Sequence, residues 1–222
     1  MTDPARRATA SGLTFTSPVT VPGTSNADAE APQVARSGDS VFLLWHEFPD
    51  ATAGQPDVFL ARSANRGASF GARFNLSGSP ATSSAEETLA VTRSGTTTRV
   101  YVVWNEDGRI QCRRDRTNDG TFAPAVRIND TVGTNGATRP RVVASGDRVY
   151  VVWQAEGATG VSDIFFARSV DAGSTFRDKQ NVSKSPGDSF DPALTLAADD
   201  SVIVAWRDGS AGDFEIRYAR GR

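Results

Sequence analysis

Four short segments constrain this chain more than anything else in it: VFLLWHE at 41–47, VYVVWNE at 100–106, VYVVWQAE at 149–156 and VIVAWRD at 202–208, each holding one of the four tryptophans. Trp45, Trp104, Trp153 and Trp206 follow one another at 59, 49 and 53 residues. The step from Trp206 through the last residue and on from Met1 to Trp45 is 61. A period near 50 marks a repeat architecture in which each unit buries its apolar face against a neighbour. The comparable fourth step makes the four units behave as a circle.

Each unit holds four short apolar runs. In the third they are RVVAS (141–145), VYVVW (149–153), DIFFARS (163–169) and KQNVS (179–183). Val, Ile, Tyr, Phe and Trp dominate them and Gly, Asp, Asn and Pro punctuate between, which is strand chemistry. No segment combines a 3.6-residue period with a helix cap. The predicted fold is all-β: a four-bladed β-propeller with four-stranded antiparallel blades.

The last unit is split. Its third strand, IRYAR (216–220), runs to the end of the chain, and SGLTF (11–15) with SPVTV (17–21) supplies the missing fourth. The N-terminal strand is therefore expected to complete the last blade, leaving no free sheet edge and bringing the termini together. On this reading residues 1–9 form a flexible tail and 10–222 a single propeller domain. The alternative is an exchange of blades between two chains into a larger ring.

A net charge of −2, from 24 basic and 26 acidic residues, gives no electrostatic footprint for nucleic acid or an anionic membrane. The single cysteine, Cys112, excludes an intrachain disulfide, and the single histidine, His46, leaves little material for a multi-histidine metal site. No run approaches the ~18 apolar residues of a membrane helix. MTDPARRATASG lacks the apolar core of a signal peptide. The expectation is a soluble chain of open compartment, secretion after removal of a signal included.

One turn recurs between strands three and four: SANRGASF (63–70), DRTNDGTF (115–122) and SVDAGSTF (169–176). Asp171 or Asn65 can accept hydrogen bonds from the turn's own amides, and Ser63 and Ser169 open the two turns as structural residues. Gly67 and Gly173 supply the bend, and in 115–122 the glycine, Gly120, stands one place later. Phe70, Phe122 and Phe176, with Phe15 in the split unit, tuck between sheets. The pattern S-x-D-x-G-x-T-F resembles the Asp-box, or BNR repeat, of sialidase-like propellers. SVDAGSTF matches it fully, SANRGASF with Asn65 for Asp and Ser69 for Thr, and DRTNDGTF in degenerate form.

The resemblance implies a sialidase-type glycoside hydrolase with an arginine triad, a tyrosine nucleophile paired with a glutamate, and an aspartate acid/base. Tyr101 and Tyr150, however, fill the slot of Phe42 and Ile203, and Tyr218 the slot of Leu60, Cys112 and Phe166, so all three read as core aromatics. Arg62, Arg114, Arg168 and Arg220 recur once per unit, as a structural ladder does. The F/Y-R-I-P motif is absent, and RPRV at 139–142 is not that motif. No catalytic residue is assigned.

A ligand is expected on the other face, where each tryptophan is followed by a different polar residue, His46, Asn105, Gln154 or Arg207, and then by an acid, Glu47, Glu106, Glu156 (after one insertion) or Asp208. Asp57, Arg109, Asp163 and Glu215 open strand three beside them. Two readings stand. These residues are turn-formers that bond loop amides, or they ring a polar pocket for a sugar, a peptide or a cation. Four acids would suit calcium, although no D-x-D-x-D-G loop is present, and neither metal nor cofactor is assigned. Phe48 and Phe190 are candidate stacking rings. The expected function is a non-catalytic glycan- or protein-binding module. The alternatives are the hydrolase and a minimal propeller fragment of a larger assembly, with oligomeric state open.

Overall fold

The computed structural model describes residues 15–24, 28–48, 54–79 and 81–222, all of them in strands, turns or irregular structure and none in a helix. The predicted tail, 1–9, lies outside the described residues. The chain is a four-bladed β-propeller. Blade one is β1 (Ala29–Ser37), β2 (Ser40–Glu47), β3 (Asp57–Ser63) and β4 (Phe74–Asn75). Blade two is β5 (Ser84–Ser94), β6 (Thr97–Glu106), β7 (Arg109–Asp115) and β8 (Val126–Arg127). Blade three is β9 (Asn135–Ser145), β10 (Arg148–Glu156), β11 (Ser162–Ser169) and β12 (Arg177–Asn181). Blade four has three strands, β13 (Ser189–Leu196), β14 (Val202–Asp208) and β15 (Glu215–Gly221).

The strand period of two sends alternate side chains to opposite faces of each blade, and successive blades bury those faces against one another. Phe42, Leu44, Val58, Leu60 and Leu76 of blade one meet Val100, Val102 and Trp104 of blade two, with Phe122 inserted from the turn of blade two. Tyr101, Val103, Ile110, Cys112 and Ile128 meet Val149, Val151 and Trp153 in the same way, with Phe176. Tyr150, Val152 and Ile164 meet Val202, Val204 and Trp206. Full burial of a large apolar side chain stabilises by ~1.5–3 kcal/mol, so these interfaces hold the blades in order.

The first strand of every blade carries a bulge at one place. Residues 31 and 32, 86 and 87, 139 and 140, and 191 and 192 stand as pairs opposite Trp45, Trp104, Trp153 and Trp206. Ala31, Glu86, Arg139 and Asp191, the first of each pair, all have left-handed backbones, with φ between 52° and 57°. Bulges of this kind re-aim side chains.

The predicted closing segment lies partly, at 11–14, outside the described residues. Among the described residues its strand is not formed: 15–21 belong to no strand, and β15 pairs only with β14. Phe15 is 88% and Val19 87% exposed, and on β15 Ile216 is 77% and Tyr218 76% exposed, so Tyr218 is not the core aromatic its repeat slot implied. Val21 packs instead with Trp45, Phe59 and Ala61 on the outer face of blade one. This repeats a rule of the fold: Leu76 shares a cluster with Trp104, Ile128 with Trp153 and Val182 with Trp206. The segment thus covers blade one's tryptophan as a fourth strand would, while the three strands that should accompany it lie elsewhere.

Candidate functional site: the bulged face

The turns between strands three and four are self-contained. In blade three Ser169 Oγ donates to Asp171 Oδ1 (2.6 Å), Asp171 accepts from the Ser174 and Thr175 amides, and the Gly173 amide donates to Ser169 Oγ (2.8 Å). Burial alone would raise the Asp171 carboxyl, but the bonds from Ser169, Thr175 and Ser174 outweigh it and hold it well below the usual carboxylate range. Blade one uses Asn65 and Ser63 in the same geometry, with the Gly67 amide on Ser63 Oγ (2.9 Å). In blade two the buried Asp115 stands where the others have serine, and it takes the amides of Thr117, Asn118 and Gly120. Gly67, Gly120 and Gly173 have φ of 85°, 87° and 75°, which a Cβ would oppose. Arg62 donates to Ser40 Oγ, Arg220 to Ser201 Oγ and Arg168 to Asp178 within their own blades, while Arg114 reaches Gly173 O in the turn of blade three, so the four arginines serve separate contacts.

At the opposite end the acids after the tryptophans do not converge. Trp45 Nε1 donates to Glu47 Oε2 (3.2 Å), which also takes Arg73 Nη1 (2.5 Å). Trp206 Nε1 donates to Asp208 Oδ2 (3.1 Å). Glu106 accepts from Ser79 Oγ (2.6 Å) and Gln111 Nε2 (2.8 Å). In blade three the inserted residue puts buried Ala155 in the acid's place. There Trp153 Nε1 donates to Gly133 O (2.9 Å), and Glu156 is exposed and bonds Asn135. Asp208 is held well below the usual carboxylate range: burial opposes this, but the bonds from Ser210 and the Trp206 indole prevail. Glu47 and Asp208 are therefore clamps on the tryptophans of their own blades, and Glu106 holds Gln111 of its own blade and Ser79 of the segment leading in from blade one. Asp57 and Asp163 likewise turn to the Asn and Ser of strand four, Asn75 with Ser77 and Asn181 with Ser183. Among the described residues no three of His, Cys, Asp and Glu come together as metal ligands.

The polar residues directly after the tryptophans behave differently, because they reach the bulges of their own and neighbouring blades. His46 Nδ1 lies 3.0 Å from the buried Glu87 and its Nε2 3.6 Å from Glu30. The Glu87 hydrogen bond raises the His46 pKa against the opposing effect of burial. Asn105 Nδ2 donates to Glu86 Oε2 (3.1 Å), which also accepts the Arg139 amide (2.8 Å). Arg139 Nη1 pairs with Asp191 Oδ1 (2.6 Å), whose amide donates to Gln154 Oε1 (3.2 Å) and whose Oδ2 lies 3.6 Å from Arg207 Nε. Arg207 in turn lies 4.4 Å over the Phe214 ring and 5.3 Å over that of Phe190. A row of alternating charge, Glu86, Arg139, Asp191 and Arg207, thus crosses three blades and ends on an aromatic pair. The side chains of Arg139, Asp191 and Arg207 are 45%, 50% and 43% exposed, which leaves hydrogen-bonding capacity free for a ligand.

Of this row, sequence reasoning named only Asn105, Gln154 and Arg207, with Phe190 as a ring. Glu86, Arg139, Asp191 and Phe214 it missed. The signal for two of them was a proline: R-P at 139–140 and D-P at 191–192, like A-P at 31–32, break a first strand where only a bulge tolerates the break. Phe48 sits edge-on to His46, 6.0 Å between ring centres, and takes no part in the row. Tyr101 and Cys112, whose hydroxyl and thiol burial pushes up to about 12, lie in the core away from this face.

No family model and no curated protein matches this sequence. Solved structures do. A Hadza microbial sialidase is 12% identical over 87% of this chain and 44% of its own, with a TM-score of 0.63. An endo-arabinase from Bacteroides thetaiotaomicron VPI-5482 is 12% identical over 86% of this chain and 74% of its own, at 0.52. The fold is that of propeller glycoside hydrolases, and this chain spans less than half the length of the sialidase.

Proposed function

We propose that this propeller is a glycan-binding module that recognises its ligand without cleaving it, through the bulged face. The observation that carries the reading is the row Glu86–Arg139–Asp191–Arg207 with Phe214 at its end. Three of its members, Glu86, Arg139 and Asp191, are fixed by bulges, and its donors and acceptors already alternate as sugar hydroxyls require. Phe214 is 53% exposed beside Arg207 and offers an apolar ring face of the kind on which sugar C–H groups stack. The carboxylates of the row are engaged by partners: Asp191 lies between two arginines, and Glu86 accepts two hydrogen bonds. Two free carboxyl groups with separate acid and nucleophile roles, as glycoside hydrolysis uses, are not part of this arrangement.

The test is a glycan array run beside fluorogenic sialoside and arabinoside assays. A hydrogen bond to a charged group is worth ~1.5–3 kcal/mol, so Arg139→Ala and Arg207→Ala should each weaken retention of the bound glycan by roughly tenfold or more, with the unfolding midpoint unchanged. Turnover of either substrate that disappears in Asp191→Asn would make the protein a hydrolase. An array on which nothing binds would remove the glycan reading.

A further inference from the structure

The two ends of the blade array are unequal in complementary ways. Three blades show what a complete fourth strand does. The amides of Leu76, Ile128 and Val182 donate to the carbonyls of Val58, Ile110 and Ile164, each at 2.7 Å. Those three strand-three residues are fully buried. Their counterpart in blade four is Ile216, 77% exposed, on a strand whose outer edge pairs with nothing among the described residues. Phe122 and Phe176 lead into the fourth strands of blades two and three, and each fills the interface with the preceding blade. Between blades three and four that place is a cavity of about 500 Å³ whose floor is Tyr150, Phe166, Val182, Val202, Val204 and Ala219. The residue at the corresponding repeat position is Phe15, which stands 88% exposed at the other end of the array.

We propose that blade four is completed by residues 15–21 of a second copy of this chain, so that copies join head to tail. Phe15 of the incoming segment fills the cavity between blades three and four. Val19 lies opposite Tyr218 and Thr20 opposite Arg217, the register that Phe74 and Asn75 keep with Leu60 and Phe59. The Val21 amide donates to Ile216 O as its three counterparts do. Val21 keeps its place against Trp45, and the outer face of blade one, carried along with it, covers Ile216 and Tyr218.

The copy's own segment cannot do this in the conformation described. It is engaged with blade one through Val21, and no core cluster of the described residues joins blade four to blade one. A second copy satisfies both ends without moving either. An unpaired edge with an apolar face is a template for another chain, and a head-to-tail contact of this kind closes into a ring when two copies exchange segments. None of these residues belongs to the charged row, so the assembly and the glycan reading stand or fall separately.

Light scattering during gel filtration should give a mass of two or more chains, and Phe15→Asp, a change at an exposed position, should return the mass of one. Val19→Cys and Tyr218→Cys chains mixed and oxidised should form a disulfide-linked pair of one chain of each kind. Buried Cys112 stays out of that reaction. The proposal is overturned by a single-chain mass at every concentration up to ~100 µM, or by the Val19→Cys/Tyr218→Cys double variant cross-linking only within itself.

Discussion

Blade three and blade four have the same sequence plan and opposite surroundings. Ile164 and Ile216 occupy one position of strand three, yet the first is fully buried and the second 77% exposed. Both strands are formed all the same. β11 pairs with β10 over eight residues, and β15 pairs with β14 over seven without a break. The ladder therefore depends on the hairpin and its backbone, and burial is added by neighbours: a fourth strand of the same blade and the next blade along. What a repeat unit encodes is a strand able to be covered. Whether it is covered depends on its place in the array.

The sharpest way to break this comparison is to truncate both residues. Ile164→Ala removes fully buried methyl groups and should cost about 2–5 kcal/mol. Ile216→Ala, measured below the concentration at which chains associate, should stay within about 0.5 kcal/mol. Urea unfolding followed by tryptophan fluorescence reads both, and equal losses would show that blade four is covered within one chain. A second contrast uses the acids after the tryptophans. Asp208→Ala strips the acceptor from the buried Trp206 indole and should cost about 1–3 kcal/mol. Glu156→Ala, at the shifted position in blade three, should change stability by less than about 0.5 kcal/mol, because Trp153 bonds a carbonyl instead.

The smallest effect belongs to His46. Its folded-state pKa is raised above the unfolded value of about 6.5 by the Glu87 hydrogen bond. Its contribution is therefore fully present below about pH 6.5 and is lost as pH rises through the raised folded value. The urea midpoint of the native chain should fall between pH 6 and pH 9, and Glu87→Gln should flatten that fall. An unchanged slope in Glu87→Gln would show that the pair contributes nothing.

The features legible in the sequence are those whose partners lie within one repeat. The tryptophan segments sit about 50 residues apart, and the turns close on themselves: Ser169 and Asp171 find their donors within four residues. The face that matters for binding is built the other way. Glu87 is 41 residues from His46, Arg139 is 53 from Glu86, and Asp191 is 52 from Arg139, so each contact joins two blades and no single unit displays it. The acids at 47, 106 and 208 were visible, but not their direction. Glu47 and Asp208, two residues past their tryptophans, take the indole N–H, whereas Glu106 in the same position turns to Ser79 and Gln111, and that choice depends on side-chain geometry. The closing strand was legible as a repeat fragment. What the repeat did not record is that the same fragment also covers Trp45.

The doubled residues opposite each tryptophan also set a rule of length. A strand counts its side chains in twos, and each bulge adds one to the count, so Thr138 and Arg141 meet the partner strand at Gln154 and Val152, two positions apart, although they are themselves three positions apart. Losing Pro140 alone would turn everything upstream on β9 to the wrong side of the sheet. Outside the charged row, the innermost strands should therefore tolerate changes of residue over evolutionary time while insertions and deletions at these four sites are purged. The spacing around each tryptophan would then outlast nearly every residue that fills it.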